Sequence, residues 1–136
     1  MPDDDLELIY LTLEDAIELY AAIVDAAVEQ AADLLRSRSS LEGALARPTS
    51  YAHYQEADIA VQAAVLAHGI AESQPFLDGN KRLALVAMLT FLDANGYRVD
   101  ATDPELADWI IRLSAGLTPE QLAEAIRARL APVLSD

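Results

Sequence analysis

The stretch QPFLDGNKR, residues 74–82, lies between two apolar segments and holds most of the concentrated polar chemistry of the chain. Pro75 and Gly79 interrupt the helical periodicity at this point. The segment that follows, from about Lys81 to Ala94, is so apolar that it predicts a helix in the centre of a bundle. This loop, and the central helix that it opens, therefore decide the fold.

Helices also account for most of the chain before the loop. Thr12 with Asp15, and Ser39 with Glu42, have the spacing of capping boxes, which mark helix starts. Helical periodicity then predicts a long first helix, a short second one that stops before a proline, and a third that leads into the loop. Their expected bounds are 12 to near 36, 39 to about 45, and 56 to 72, with a loop over residues 48–55.

Two further helices are expected after the central one. The central helix should stop at Asn95-Gly96, where glycine can adopt the left-handed conformation that ends many helices. Each later helix has a capping residue before a proline at its start. The expected starts and stops are Asp103-Pro104 with Gly116, and Thr118-Pro119 with Pro132.

The composition favours one all-α domain. The chain has 136 residues, of which 53% are hydrophobic and 6% aromatic, and this suits packed helices better than sheet. It has no internal repeat, low-complexity tract or linker, so residues 1–136 are expected to form a single domain. The lack of cysteine excludes disulfides and cysteine-based chemistry, and two histidines are too few for a convincing transition-metal site.

The charge balance limits the partners. Nine Lys and Arg residues against 23 Asp and Glu give a net charge of −14, which repels nucleic acid and anionic membranes and favours basic partners. Residues 1–5 are acidic where a signal peptide would be basic, and charges break the apolar runs before they could span a bilayer. We therefore expect a cytoplasmic protein with no nucleic-acid or membrane partner.

The loop itself has the features of an anion site. The start of a helix carries unpaired N–H groups and the positive end of the helix dipole, and Gly79 permits close backbone approach. Lys81 and Arg82 add two cations, Asp78 can hold Mg2+ against phosphate oxygens, and Asn80 can donate to them. These features indicate a nucleotide phosphate site. On these features alone, a plain turn before a solvent-facing Lys-Arg pair is the somewhat stronger interpretation.

The order of the residues changes that balance. QPFLDGNKR resembles the Fic/Doc motif in its death-on-curing (Doc) form, usually His-Pro-Phe-x-Asp-Gly-Asn-Lys-Arg. Similar family features are YLTLEDAIELY near the start, LEGALARP at residues 41–48, and LAHGIAESQPFLDGNKRLALVAMLTFLDANGY. The resemblance covers about residues 10 to 100. It implies a compact Fic-fold bundle of about six helices, in which the motif joins two central helices.

The resemblance also implies an activity. Lys81 stands where AMP-transferring Fic proteins have glycine, and Leu85 where they have a second arginine. In this the chain is similar to Doc toxins, which bind ATP in the opposite orientation and transfer its γ-phosphate to a threonine of elongation factor Tu, arresting translation. A small antitoxin encoded beside the toxin holds it in check. AMP transfer of the Fic type is therefore disfavoured.

Roles follow from the resemblance position by position. Asp78 resembles the acidic residue that supports Mg2+ and the transferring group. Gly79, Asn80 and Lys81 resemble the anion-hole segment, and Arg82 resembles the residue that neutralises phosphate charge. Phe76 resembles the buried aromatic that pins the loop to the core, which agrees with an apolar residue between Pro75 and a polar turn. Leu83, where Doc proteins usually have threonine, is expected to affect packing.

Gln74 departs from the motif because the family has histidine there. That imidazole takes the proton of the attacking hydroxyl, and a carboxamide cannot do so near pH 7. Loss of a general base typically costs about 10²–10⁴-fold in rate, while nucleotide binding can persist. Three interpretations stay open: simple inactivation, a glutamine that orients a hydroxyl or water as in some GTPases, and an engineered inactive variant.

The two histidines and the regulatory pattern offer no replacement. His68 is expected to pack or hydrogen-bond near the site, and His53 to face solvent in the loop. The Fic inhibitory pattern would need Ser or Thr where Arg38 precedes Glu42-Gly43, so a separate antitoxin is expected to regulate the protein. The first hypothesis is thus a weak or inactive Doc-type protein kinase. The alternative is a Fic-fold pseudoenzyme that binds nucleotide or an antitoxin without chemistry.

Overall fold

A computed structural model describes residues 7–133 of the chain, and the acidic start at residues 1–5 lies outside this range. The described residues form seven helices and one small antiparallel sheet, which confirms the all-α prediction. The helices are α1 Leu13–Val24, α2 Val28–Asp33, α3 Arg38–Gln55, α4 Ile59–Ser73, α5 Asn80–Ala94, α6 Asp103–Ser114 and α7 Pro119–Arg129; the strands are β1 Tyr97–Val99 and β2 Leu130–Pro132.

The core lies around α4 and α5, the two helices that flank the motif. Their buried residues include Leu66 and Ile70 of α4 and Leu83, Met88 and Phe91 of α5, each at most 1% exposed. The expected central position of α5 is therefore confirmed, and Leu83 serves packing. None of the helices in residues 7–133 combines the length and apolar character needed to cross a bilayer.

The first helix is shorter than predicted. Instead of continuing to near Arg36, α1 ends at Val24, the next residue, Asp25, takes the left-handed conformation with φ of 55°, and α2 starts after Ala27. Apolar residues recur with a helical period on both sides of this break. Periodicity alone therefore could not reveal it, and the bundle has seven helices where about six were expected.

The predicted loop at residues 48–55 is wrong, because α3 continues through it. Pro48 lies inside the helix and is buried. A proline removes one backbone hydrogen bond, but α3 packs along α4, and this contact offsets the loss. The cap of α3 was also misplaced, since Ser37 rather than Ser39 accepts the bond from the N–H of Ser40, at 3.1 Å.

Other helix bounds differ by a few residues. Asp58 caps α4 by accepting from the N–H of Val61 at 3.0 Å, so this helix starts later than residue 56. Thr102, not Asp103, caps α6, and its capping box includes Glu105. The end of α7 comes at Arg129 because the chain then pairs as β2 with β1, a sheet that was not predicted.

Several helix ends lie where they were predicted. Thr12 caps α1 and Thr118 caps α7, each in a capping box. Gly96, after the end of α5, and Gly116, after the end of α6, both have positive φ angles, 90° and 121°. These ends depend on residues close together in the chain, which is why the sequence predicts them well.

Candidate functional site at the start of the central helix

The motif loop begins where α4 ends and is held by the segment before α3. Gln74 is the C-cap of α4 in the left-handed conformation, with φ of 48°, and its N–H donates to the carbonyl of Ile70 at 3.1 Å. The carbonyl of Pro75 accepts from the N–H groups of Arg36 at 2.7 Å and Ser37 at 3.2 Å. These bonds fix the direction in which the chain leaves α4.

Phe76 attaches the loop to the core. Its side chain is fully buried and stacks on the ring of Tyr20, with ring centroids 3.7 Å apart and planes 11° from parallel. Its backbone also forms an isolated β-bridge with Leu35, in the segment after α2. A buried stacked pair of this kind holds the residues on either side of Phe76 in one position.

The Asn80 side chain closes the loop on itself. Its Oδ1 accepts from the N–H of Phe76 and its Nδ2 donates to the carbonyl of Phe76, both at 3.0 Å. The residue is only 8% exposed. The sequence suggested an amide that donates to phosphate, whereas the structure directs this amide inward. What Asn80 can offer an anion is its backbone N–H and the shape of the loop.

Tyr20 is a site residue that the sequence analysis missed. Its hydroxyl donates to the carbonyl of Asp78 at 3.0 Å. A Cβ on Gly79, which has φ of 76°, would lie 3.3 Å from Cε1 of Tyr20. Burial raises the pKa of the Tyr20 hydroxyl, as does the Asp78 carboxylate, while Arg82 lowers it. The only sequence signal was an apolar-face position in YLTLEDAIELY.

The start of α5 is open for an anion. Gly79 is its N-cap and provides no side-chain hydrogen bond. The first N–H groups of any helix lack partners within the helix, so those of residues 80–82 remain available. Together with the helix dipole they favour a negatively charged ligand.

Charged side chains surround this helix start. Residues 74 and 77–82 line a cavity of about 400 Å³, called the motif cavity below. Asp78, Lys81 and Arg82 are exposed, and within residues 7–133 none of them forms an ion pair. Two free cations in a chain with only nine Lys and Arg residues make this a locally positive place on an acidic protein.

The Gln74 side chain reaches the same cavity without being held by the protein. The residue is exposed, and its carboxamide has no hydrogen-bond partner among residues 7–133. Leu77, 63% exposed, lies between Gln74 and Asp78 in the chain and also lines the cavity. A molecule in the cavity would meet a neutral amide and an aliphatic side chain on this side.

Neither histidine takes the place of the missing imidazole. His68 lies on α4, where its Nδ1 is 3.3 Å from a guanidinium nitrogen of Arg47 and its Nε2 is 3.9 Å from a carboxylate oxygen of Glu72. The hydrogen bond to Arg47 was expected, but His68 lines a different cavity from the motif residues rather than lying at their site. His53 is exposed as expected, but on α3 rather than in a loop, in edge contact with Tyr54.

The donor set fits a nucleotide with Mg2+ better than a resident metal. In the described part of the chain, no group of three or more His, Cys, Asp or Glu side chains could hold a metal ion. Mg2+ is commonly bound by one or two carboxylates together with the phosphates of its nucleotide. Asp78 can supply one carboxylate, and the uncapped helix start with Lys81 and Arg82 suits the phosphates.

Comparison with known families finds one match. A family model described as the Fic/DOC family matches residues 10–92, which include α1 to α4, the whole stretch 74–82 and most of α5. No curated protein matches the chain.

Proposed function

Because this chain belongs to the Fic/DOC family, we propose that it is a Doc-like toxin of a toxin–antitoxin pair that binds ATP and Mg2+ in the motif cavity. In this proposal the γ-phosphate of ATP is transferred to a hydroxyl of elongation factor Tu, and translation stops. Gln74 in the place of the motif histidine leaves this form weak or inactive.

The observation that carries the proposal is the uncapped start of α5 beside two unpaired cations. Phosphoryl transfer depends mainly on positioning and on electrostatic stabilisation of the phosphates. The N–H groups of residues 80–82 provide fixed donors, and Lys81 and Arg82 provide positive charge. Phe76, Tyr20 and the Asn80 amide hold these donors in place, so little rearrangement is needed when an anion binds.

Gln74 determines how far the reaction can go. ATP supplies the phosphoryl group and Mg2+ offsets its charge. When the target hydroxyl bonds to the γ-phosphorus, the bond to the bridging oxygen breaks and ADP leaves, and the hydroxyl proton must be accepted. A carboxamide cannot accept it, so the proton passes to solvent, which reaches the exposed Gln74. We therefore expect slow transfer.

Transfer of phosphate is favoured over transfer of AMP. Leu85 stands at the second-arginine position of AMP-transferring Fic proteins, and it packs against the apolar core. Lys81 replaces a glycine of the same proteins and lies in the motif cavity. An aliphatic side chain in place of a guanidinium removes a phosphate contact from that side.

The alternative is a pseudoenzyme that binds nucleotide or an antitoxin without chemistry. The unsupported carboxamide of Gln74 is the observation that favours it. In either case a separate protein is proposed as the regulator. The nearest candidate for an inhibitory pattern has Arg38 where Ser or Thr is required, and its Glu42 pairs with that Arg38 on the surface of α3 at 3.3 Å. Absence of any co-purifying product of a neighbouring gene would contradict this regulation.

The test compares this chain with Gln74→His and Gln74→Asn, using γ-labelled or α-labelled ATP, Mg2+ and purified elongation factor Tu. Histidine and asparagine both accept the left-handed backbone of residue 74, but only histidine is a base. We expect γ-label on the target to increase about 10²–10⁴-fold with histidine and not with asparagine.

Each other outcome has a clear meaning. Equal transfer by the unaltered chain would contradict the role given to Gln74. Label from the α position would show AMP transfer instead. If none of the three proteins transfers label to the target but all of them still bind ATP, the pseudoenzyme is favoured.

A further inference from the structure

Helix α1 reaches the motif loop through two residues on one of its sides. The Tyr20 hydroxyl donates to the carbonyl of Asp78 at 3.0 Å, and Nη1 of Arg82 donates to the carbonyl of Ile23 at 3.5 Å. Tyr20 and Ile23 are three residues apart, so they lie on the same side of the helix. One side of α1 therefore contacts both a carboxylate-bearing and a guanidinium-bearing residue of the motif.

The backbone of Asp78 depends on the Tyr20 hydroxyl. Asp78 precedes Gly79, the N-cap of α5, so its carbonyl lies outside the backbone hydrogen bonds of that helix, and within residues 7–133 its donor is Tyr20. In the same range the Asp78 side chain makes no hydrogen bond or ion pair of its own. The place of its carboxylate is therefore set by how firmly the backbone is held.

The Tyr20 ring is itself fixed. It is fully buried and stacks on Phe76, with ring centroids 3.7 Å apart, and a Cβ on Gly79 would lie 3.3 Å from its Cε1. Burial is the main cause that raises the pKa of Tyr20; the Asp78 carboxylate raises it further and Arg82 lowers it, so both charges lie near the hydroxyl. A ring packed on both faces presents its hydroxyl in one position.

We propose that Tyr20 is a positioning residue for Mg2+, because its hydroxyl holds the backbone of Asp78 so that the carboxylate is already in place when the metal arrives with ATP. The inference rests on the proposed function, since Mg-ATP is the ligand of the site. A carboxylate that is held in advance loses less conformational freedom when it binds a metal. In this role Tyr20 touches neither the metal nor the nucleotide.

Tyr10 shows what a purely structural tyrosine looks like in this chain. Its ring stacks on Phe91 with centroids 5.7 Å apart, and its hydroxyl donates to Oε1 of Gln62 at 2.8 Å, outside the motif cavity. Tyr10→Phe is therefore the matched control for Tyr20→Phe, because each substitution removes one hydrogen-bonded hydroxyl and keeps one stacked ring. Asp78 is exposed, so water can replace the lost hydroxyl at its carbonyl, and Tyr20→Phe should fold.

The test measures ATP binding to the full chain and to both variants by calorimetry, once with Mg2+ and once with EDTA. We expect Tyr20→Phe to weaken binding of Mg-ATP about 5- to 10-fold and to leave binding of metal-free ATP unchanged, while Tyr10→Phe changes neither. In an Asp78→Asn background, Tyr20→Phe should have no further effect, because the two residues act through one carboxylate. Thermal unfolding confirms that each variant is folded.

The outcomes separate this inference from the proposed function. If ATP binds but Tyr20→Phe weakens it equally with and without Mg2+, or no more than Tyr10→Phe does, Tyr20 is structural and the inference fails, while the phosphate site stands. A full effect of Tyr20→Phe in the Asp78→Asn background would also overturn the inference. If the unaltered chain binds ATP neither with nor without Mg2+, both proposals fail.

Discussion

The polar residues of the motif divide into those that build the loop and those that face the motif cavity. The side chains of Asn80 and Tyr20 form hydrogen bonds with backbone groups of the loop. Within residues 7–133, Asp78 and Lys81 make no side-chain hydrogen bond, and Arg82 makes one weak bond, from Nη1 to the carbonyl of Ile23 at 3.5 Å. A single motif thus carries two kinds of role, and only the second kind contributes side chains to a ligand.

Asn80→Ala should lower both stability and ATP binding. The substitution leaves the buried N–H and carbonyl of Phe76 without partners, and we expect a loss of about 2–3 kcal/mol in the free energy of unfolding. ATP affinity should fall as well, because the loop shape depends on these bonds. Urea denaturation and calorimetry measure the two effects.

Asn95→Ala is the matched control for that substitution. The Asn95 amide makes the same pair of bonds to Ile9, at 2.7 and 2.9 Å, and its Nδ2 also donates to the carbonyl of Phe91 at 2.8 Å, in a half-buried position outside the motif cavity. We expect a loss of about 1 kcal/mol and no change in ATP affinity. An equal effect of both substitutions on ATP binding would show that the Asn80 amide has no special role in the loop.

Among the helices, the pair α3 and α4 is packed most closely around a glycine. A Cβ on Gly69 would lie 3.1 Å from Cβ and 3.2 Å from Cα of Ala44. Both atoms belong to or sit directly on the α3 backbone, so neither can move away without shifting the helix. This packing also explains why α3 persists through Pro48, which the local sequence does not favour.

Gly69→Ala should therefore be destabilising although alanine is the better helix former. We expect a loss of about 1–2 kcal/mol from overpacking, which exceeds the gain in helix propensity. In Gly43→Ala, on α3, the new Cβ meets nothing within 4 Å, and the same propensity should raise stability by about 0.5–1 kcal/mol. Thermal or urea unfolding gives both values, and opposite signs are expected. An increase in stability in both variants would mean that α3 and α4 separate easily to accept the new methyl group.

For the whole molecule, one ion pair ties the last helix to the middle of the chain. Arg127 of α7 donates to both carboxylate oxygens of Asp58, at 2.8 and 3.1 Å. This hydrogen-bonded guanidinium is the main cause that lowers the pKa of Asp58 below its usual value of 3.8, and burial opposes the shift. Asp58 also caps α4, so one carboxylate serves both helices.

The lowered pKa predicts a pH-dependent contribution to stability. Because the folded state favours the carboxylate, the contribution is present above about pH 3.8 and is lost as the pH falls through the lower folded value. Asp58→Asn keeps an N-cap but removes the charge, and should cost about 1 kcal/mol at pH 7.

The loss of stability caused by Asp58→Asn should vanish in acid. Urea unfolding of the unaltered chain and of Asp58→Asn between pH 7 and pH 2.5 measures this loss. Arg127→Gln should remove the same pH-dependent contribution to the free energy of unfolding. A difference that is undiminished at pH 2.5 would show that the contribution does not come from the ionised carboxylate.

The sequence by itself determined the all-α class, the central place of α5, the caps at Thr12 and Thr118, and the motif. These features depend on hydrogen bonds and apolar periodicity within a few residues, which are visible in any short window of the chain. The family match over residues 10–92 extends the evidence for the family beyond the motif, and it too comes from the sequence alone.

Only the tertiary structure decided the break after Val24, the helix through Pro48, the sheet of β1 and β2, and the inward direction of the Asn80 amide. It alone brought Tyr20 beneath the loop, 58 residues before the carbonyl to which it donates. In each case the partner atoms lie far apart in the chain or compete with an equally good local alternative, so that packing, rather than local preference, selects the outcome.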